Sequence, residues 1–394
     1  MIMEAVRKKR LCVVTSTRAD WGLLSPVCRA IRSGGHVDID VVATNMHLIE
    51  QYGYTYREIE SDGFDIAYKV ATEVSNDTDT ARAEVMALTM SGMAKAFEVL
   101  KPDAVLLLGD RYEMLAVAST AAVMHIPVIH IAGGEITVGA LDDAFRHAIT
   151  KLSSLHLAAT EEYRNRVIQL GENPETVVNT GAIGVWNAFN TKLMSADELS
   201  DSIGFDLSKH PLAVVTYHPA TNDTVSPQER MAAFLEALDQ FPDMRLVITA
   251  PNNDAGGECL LRMLEDYVAD RGERAILVRS LGMIRYQSLL RCADLVIGNS
   301  SSGIVEVPSA GIPTVDIGIR QQGRIAARSV IHCQEGTPAI VEAINQALSP
   351  EMKALASERN NPYYKADTRD IMVKAIESFM YSLPLEPKLF YDLK

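Results

Sequence analysis

Gly298-Asn299-Ser300-Ser301-Ser302-Gly303-Ile304-Val305-Glu306 follows a short apolar run, Asp294 to Ile297, and opens into a segment of helical character. A strand that turns into a helix through serine and glycine presents several backbone N–H groups and hydroxyls beside the positive end of a helix dipole. That arrangement favours a phosphate. Glu306 stands four residues after Ser302, one helical turn on and on the same face. There it can accept hydrogen bonds from a ribose while Ser301, Ser302 and the Gly303 backbone hold a diphosphate. A helix N-cap also selects serine and asparagine, but three consecutive serines exceed what a cap needs.

Working outward, short β-branched runs alternate with amphipathic stretches along the chain, the pattern of βα units and a parallel sheet. Strands are predicted at Leu11–Ser16, Val37–Ala43, Ala104–Leu108, Val128–Ile131 and Leu155–Ala159. Later ones fall at Ala213–Tyr217, Leu246–Thr249, Ala275–Val278, Leu295–Ile297 and Thr314–Ile317. Helices are expected near Leu24–Arg32, Thr80–Leu100, Glu113–Met124, Asp143–Lys151 and Glu161–Leu170, then near Pro227–Gln240, Gly257–Asp270, Ile284–Cys292, Ile304–Ala310 and Pro338–Leu348. The alternation restarts after Gly181–Ser208, a weakly periodic stretch that reads as a linker region. The expectation is an α/β protein of two doubly wound, Rossmann-like domains facing a cleft. Residues 1–185 form the first and 186–364 the second, with the aromatic-rich 365–394 segment packing back on the first.

The distinctive motifs each follow a predicted strand. Thr15-Ser16-Thr17-Arg18-Ala19-Asp20, Gly109-Asp110-Arg111 and Gly133-Gly134-Glu135 do so in the first half. His218-Pro219, Pro251-Asn252-Asn253-Asp254 and the serine run do so in the second. Ligands of doubly wound sheets sit beyond the carboxyl ends of the strands, so these motifs are expected to line a single cleft.

Composition narrows the function. A length of 394 residues exceeds one ordinary core, and an apolar share of 47% is that of a globular protein. A formal net charge of −14 argues against nucleic acid as partner, because backbone recognition needs a dense basic surface. The five cysteines are odd in number and lack CxxC spacing, which fits a reducing cytoplasm. Basic Arg7 to Arg10 precede an apolar run too short for a signal peptide. The longest apolar stretch, Ala116 to Gly134, is interrupted by His125, Pro127 and His130, so no membrane span is expected.

The chemistry-bearing residues are three carboxylates, Asp110, Glu135 and Asp143, each near a strand end or helix start. Neighbouring carboxylates in a cleft can hold different protonation states, as a reaction needs when it removes one proton and delivers another. Each also has a structural reading: Asp110 paired with Arg111, Glu135 capping a turn, Asp143 capping its helix. Positive groups come from Arg18, Arg111, Arg320 and His218, and arginine matches phosphate with its planar fork. His147 follows Asp143 by four residues and shares its helix face. No metal-ligand spacing, Walker lysine, nicotinamide fingerprint or Gly-x-Ser-x-Gly elbow is present.

These motifs resemble those of the hydrolysing UDP-N-acetylglucosamine 2-epimerases of sialic acid precursor synthesis. The resemblance runs from Thr15-Ser-Thr-Arg18-Ala-Asp20 to Phe390-Tyr-Asp-Leu393. Its most specific parts are Gly109-Asp110-Arg111-Tyr112-Glu113, Arg146-His147-Ala-Ile-Thr150-Lys151, Thr160 to Tyr163 with Ile168 to Glu172, Gly298 to Glu306 and Arg320-Gln-Gln-Gly323-Arg324. It implies a GT-B-like fold, no metal or redox cofactor, a UDP-sugar substrate and a homodimer or homotetramer. The implied reaction eliminates UDP across C1–C2 to a 2-acetamidoglycal, which water then converts to the free 2-epimeric sugar. Carried over by position, Arg18, Arg111, His218, Asn252, Ser301, Ser302, Gly303, Glu306 and Arg320 match the nucleotide side. Asp110, Glu135 and Asp143 match the acid–base carboxylates, with His218, Asp20 and His147 as further catalytic candidates.

Three positions depart from the pattern: Ala132 where the family often has His, Ala220 where an acidic residue is usual, and Ile319 at a polar position. UDP-N-acetylglucosamine is the first expected substrate. UDP-2,4-diacetamido-2,4,6-trideoxyglucose follows it, and a non-hydrolysing epimerase is the nearest mechanistic rival. A glycosyltransferase would need an acceptor surface not visible here, and a catalytically dead sensor would lack one of the carboxylates.

Overall fold

The computed structural model describes residues 7–72, 78–138, 141–218, 226–251, 257–384 and 386–393. The chain divides into two compact units. Unit 1 comprises Met1–Glu135, Leu141–Trp186 and Lys365–Lys394; unit 2 comprises Ile136–Ala140 and Asn187–Tyr364. Among the described residues no helix is long and apolar enough to cross a membrane.

Unit 1 is built on β1 (Lys9–Thr15), β2 (Val37–Thr44), β3 (Ile66–Val70), β4 (Ala104–Leu108), β5 (Val128–Ile131), β6 (Leu155–Ala158) and β7 (Val177–Asn179). They pair in the order β3-β2-β1-β4-β5-β6-β7, parallel throughout. The side-chain period of two explains why β1 is apolar along its length. Leu11 and Val13 enter one core with Trp21, Ile31 and Met372, while Cys12 and Val14 enter another with Met93, Phe97 and Val117.

Unit 2 repeats the plan with β8 (Leu212–Thr216), β9 (Arg245–Thr249), β10 (Ala275–Val278), β11 (Leu295–Gly298), β12 (Thr314–Ile317) and β13 (Val330–Cys333). Their order is β10-β9-β8-β11-β12-β13, again all parallel. Ala213 and Val215 face one core, Leu212 and Val214 the other. In both units the strand order reverses beside the first strand, at β1/β4 and at β8/β11, the switch point where such sheets take ligands.

The structure corrects the sequence reading in places. Gly181–Ser208, expected as a weakly periodic linker region, spans the boundary between the units at Trp186/Asn187 and holds helices Ile183–Asn190 and Ala196–Ile203, the second started by a Ser195–Glu198 capping box. The helix expected from Leu24 begins at Arg18, because Thr17 and Asp20 form a capping box ahead of it. The single helix expected over Ile304–Ala310 is two short ones, Ser301–Val305 and Val307–Ala310, with Pro308 near the start of the second. Strands β3, β7 and β13 were absent from the pattern. β3, β7 and β13 are outermost in their sheets, so they are only partly buried and lack a continuous apolar run.

The C-terminal segment completes unit 1. Helix Thr368–Tyr381 buries Met372, Ile376 and Met380 in the core that contains β1. Beyond it, Lys388 Nζ lies 2.7 Å from Glu172 and donates to the Lys151 and Ser153 carbonyls at 2.8 and 2.6 Å. Glu172 also takes Lys151 at 2.6 Å and His156 at 3.0 Å. Burial opposes its charge, but these three partners hold its carboxyl down at about 2.

Gly298, the last residue of β11, has φ +146, and a Cβ there would sit 1.9 Å from the Thr216 carbonyl oxygen of β8. Gly35 caps its helix at φ +70 with open space around it. Gly298→Ala is therefore expected to destabilise by about 2–5 kcal/mol, since clash and backbone strain combine, and Gly35→Ala by about 1 kcal/mol from backbone strain alone. Denaturant melts of the two variants check the contrast.

Candidate functional site

In unit 1 the polar groups gather after β1, β4 and β5. Arg146, on helix Asp142–Leu152, is 1% exposed and joins them. Its Nη2 pairs closely with Asp110 Oδ2, while Nη1 donates to the Glu135 carbonyl at 3.0 Å and to Asp143 Oδ1 at 3.3 Å. One guanidinium thus screens two carboxylates from each other and fixes the backbone at the third. His147 Nε2 lies 3.6 Å from Asp143 Oδ2. Burial lowers its pKa although Asp143 pulls the other way, and among the described residues its buried Nδ1 has no hydrogen-bond partner.

Behind this junction sits His130. Its Nε2 donates to the Gly109 carbonyl at 2.7 Å, so a neutral ring leaves Nδ1 as acceptor. The Thr150 hydroxyl lies 3.4 Å from that Nδ1 and 3.0 Å from the Arg146 carbonyl. The imidazole thereby holds the loop carrying Asp110 and lies against the helix turn carrying Arg146, whose carbonyl takes the one Thr150 hydrogen. Burial pushes that imidazole down to about 4. The glycines before Glu135 have packing reasons: at Gly134, φ +82, a Cβ would lie 2.3 Å from the Tyr163 carbonyl oxygen. Ala132 just before them also has positive φ, +68, a conformation costing an alanine about 1–2 kcal/mol.

The remaining unit 1 candidates carry local ties. Asp20 Oδ2 accepts from the Ser16 and Thr17 N–H groups at 3.1 and 3.0 Å and from the Ser16 hydroxyl at 2.8 Å, so its carboxylate is committed to the helix cap. Arg18 pairs with Glu58 at 2.9 Å. Arg111 donates through Nε to buried Glu113 at 2.5 Å. Burial works against its charge, but Glu113 outweighs it and holds the guanidinium protonated.

In unit 2 Asn299 clamps the switch point. Its Oδ1 accepts the His218 N–H at 2.7 Å and its Nδ2 donates to the His218 carbonyl at 2.9 Å. Its own carbonyl accepts Arg320 Nη1 at 3.2 Å and Gln321 Nε2 at 2.9 Å. His218, Arg320 and the serine run are thus gathered around one asparagine. Burial, reinforced by Arg320, lowers His218 to about 3, leaving a neutral imidazole at pH 7. Ser302 donates to Glu306 Oε2 at 2.7 Å, and burial raises the Glu306 pKa against that bond. Asn252, Pro219 and Ala220 lie outside the described residues.

The fold matches solved structures. That of Neisseria meningitidis UDP-GlcNAc 2-epimerase bound to UDP-GlcNAc superposes with a TM-score of 0.79 at 20% identity, over 94% of this chain and all of that one. At that identity the likeness establishes the fold. The sequence establishes more: residues 29–377 match the UDP-N-acetylglucosamine 2-epimerase family, and the chain belongs to it. A Campylobacter jejuni GDP/UDP-N,N'-diacetylbacillosamine 2-epimerase (hydrolyzing) is 39% identical over 324 residues, 82% of this chain and 84% of the relative. The Escherichia coli polysialic acid biosynthesis protein P7 is 35% identical over 386 residues, 98% of each.

Sequence reasoning assigned no role to Arg146 or Asn299. The signal for Arg146 was its place three residues after Asp143, within reach across one helical turn.

His47, whose ring bonds Thr15 and Thr55, is also lowered to about 4 by burial. For both His47 and His130 the unfolded chain takes up protons first as pH falls below about 6.5. Their stability contribution is complete above that pH and is lost on descending through about 4. His130→Gln is expected to recover on the order of 2 kcal/mol of the loss between pH 7 and 4, read from urea midpoints at each pH.

Proposed function

We propose that this protein is a hydrolysing 2-epimerase that converts a UDP-2-acetamido sugar and water into UDP and the free 2-epimeric sugar. The observation carrying this is the Arg146 junction, which joins Asp110, Asp143 and the backbone of Glu135. A base among Asp110, Glu135 and Asp143 takes the C2 proton as the C1–O bond to the diphosphate breaks, leaving a C1=C2 glycal. A protonated member of the set then delivers a proton to C2 from the opposite face while water adds at C1. One face loses a proton and the other gains one, so more than one carboxyl is needed, and a shared arginine keeps the set together.

The leaving UDP is assigned to unit 2. The serine run offers N–H groups at a helix start, Arg320 offers charge, and Glu306 is placed for the ribose. His218 is neutral before the nucleotide arrives, and a diphosphate beside it would raise its affinity for a proton. Asp20 and His147 enter as supporting groups, and Arg18, Arg111 and Asn252 as further nucleotide contacts. UDP-N-acetylglucosamine is the first substrate we assign, in keeping with the description of the matching family. The second reading is UDP-2,4-diacetamido-2,4,6-trideoxyglucose, favoured by the name of the Campylobacter relative and by the small Ala132 side chain.

Incubation with either UDP-sugar in D2O, followed by NMR, is the test. Release of UDP with a free 2-epimer deuterated at C2 is the expected result, and the sugar that turns over faster identifies the substrate. A UDP-linked epimer as product would transfer the protein to the non-hydrolysing class. Asp110→Asn is expected to lower kcat by about 10²–10⁴-fold with UDP affinity within a few-fold of the parent. Undiminished turnover would remove Asp110 from the proton-transfer set.

A further inference from the structure

The Ser302 hydroxyl in unit 2 has two partners: Glu306 Oε2 at 2.7 Å and the Tyr286 phenol oxygen, also at 2.7 Å. Tyr286 lies on helix Gly282–Cys292, a different element from the serine turn. A serine hydroxyl has one hydrogen, and an ionised carboxylate has only lone pairs to offer. Ser302 therefore donates to Glu306, and the phenol must donate to Ser302. The hydrogens run one way, from Tyr286 to Ser302 to Glu306.

This polarity changes what each group can do for a nucleotide. Ser302 has no second hydrogen for a phosphate, so Ser301 and the backbone N–H groups of the turn are left to that task. Glu306 is held by one oxygen, and among the described residues Oε1 takes no protein hydrogen bond. A carboxylate with one anchored and one open oxygen is the complement of vicinal hydroxyls, which can donate and which a phosphate lacks. Burial and the neighbouring Glu306 charge both resist ionisation of the Tyr286 phenol, so it stays a donor over the working pH range.

We propose that Tyr286, acting through Ser302, positions Glu306 to accept the ribose hydroxyls and so makes this site select ribonucleotides over 2′-deoxyribonucleotides. The proposal rests on the assignment of UDP to unit 2. Without the phenol, the Ser302 oxygen loses the donor that fixes its rotamer, its hydrogen turns away, and Glu306 loses its anchor. Tyr286 is a positioning residue, with no contact of its own to the nucleotide.

Titration calorimetry with UDP and with 2′-deoxy-UDP on the full chain, its Tyr286→Phe variant and its Ser302→Ala variant is the test. The parent is expected to prefer UDP by about tenfold or more, the worth of one charge-assisted hydrogen bond. Both variants are expected to reduce that preference below about threefold, by weakening UDP while the 2′-deoxy-UDP Kd stays within about twofold. Retention of the parental preference in Tyr286→Phe would overturn the proposal. So would equal weakening of both nucleotides, the mark of a phenol that only supports packing. Should Tyr286→Phe fail to fold, Ser302→Ala decides by the same ratio. A parent that binds both nucleotides without preference overturns the ribose role alone, whereas one that binds neither overturns the UDP assignment itself.

Discussion

Parallel pairing is the constraint from which the rest of each unit follows. Because the strands of each sheet pair in parallel, each return needs a crossover of about a dozen residues or more, most often a helix, and all carboxyl ends of a sheet collect on one edge. There the loops after β1, β4 and β5 bring Asp20, Asp110 and Glu135 to the same side of unit 1. The loops after β8, β11 and β12 bring His218, Asn299 and Arg320 to the same side of unit 2. Reversal of strand order at β1/β4 and β8/β11 opens the gap that these loops line. Two residues then turn proximity into a defined arrangement. Arg146 balances negative charge against negative charge, and Asn299 uses both atoms of its amide on one neighbouring peptide.

The two centres differ in how they are held. The unit 1 junction is electrostatic: a buried cation would be costly alone and is tolerable because carboxylates surround it. The unit 2 clamp is neutral and steric. Gly298 lets β11 approach β8 closely, and Asn299 latches the strand ends at that spacing. These supports match the tasks proposed for them. Proton transfer needs charges held in balance, and anion binding needs N–H groups held in direction.

Much of the fold was legible because central strands of a parallel sheet are apolar on both faces. β4, β5 and β12 coincide with their predicted spans, as does the edge strand β10, whose four residues are all apolar, and the helices that follow differ by a residue or two at their ends. Edge strands such as β3, with exposed Ala67 and Lys69, give no such run. The missed start of the Arg18–Gly34 helix has the same cause as the ambiguity of Asp20: a capping carboxylate and a catalytic one look alike in sequence. At the site, residue types were readable and partnerships were not. Nothing local distinguishes a buried arginine from a solvated one, and the bond between Tyr286 and Ser302 spans separate elements. Asn299 was read as one of several polar turn residues, whereas its two-sided grip on His218 depends on strands distant in sequence.

Unit 1 is assembled from both ends of the chain, and that has a consequence for its birth on the ribosome. Its first core contains Met372, Ile376 and Met380 beside Leu11 and Val13, so that core stays incomplete until Met380 has been synthesised. The long run of unit 2, Asn187–Tyr364, emerges before those residues do. Synthesis therefore runs against the usual amino-terminal-first order: the second sheet can close while the first still waits for its final helix. During that interval the apolar surface that Met372, Ile376 and Met380 later cover stays open to solvent.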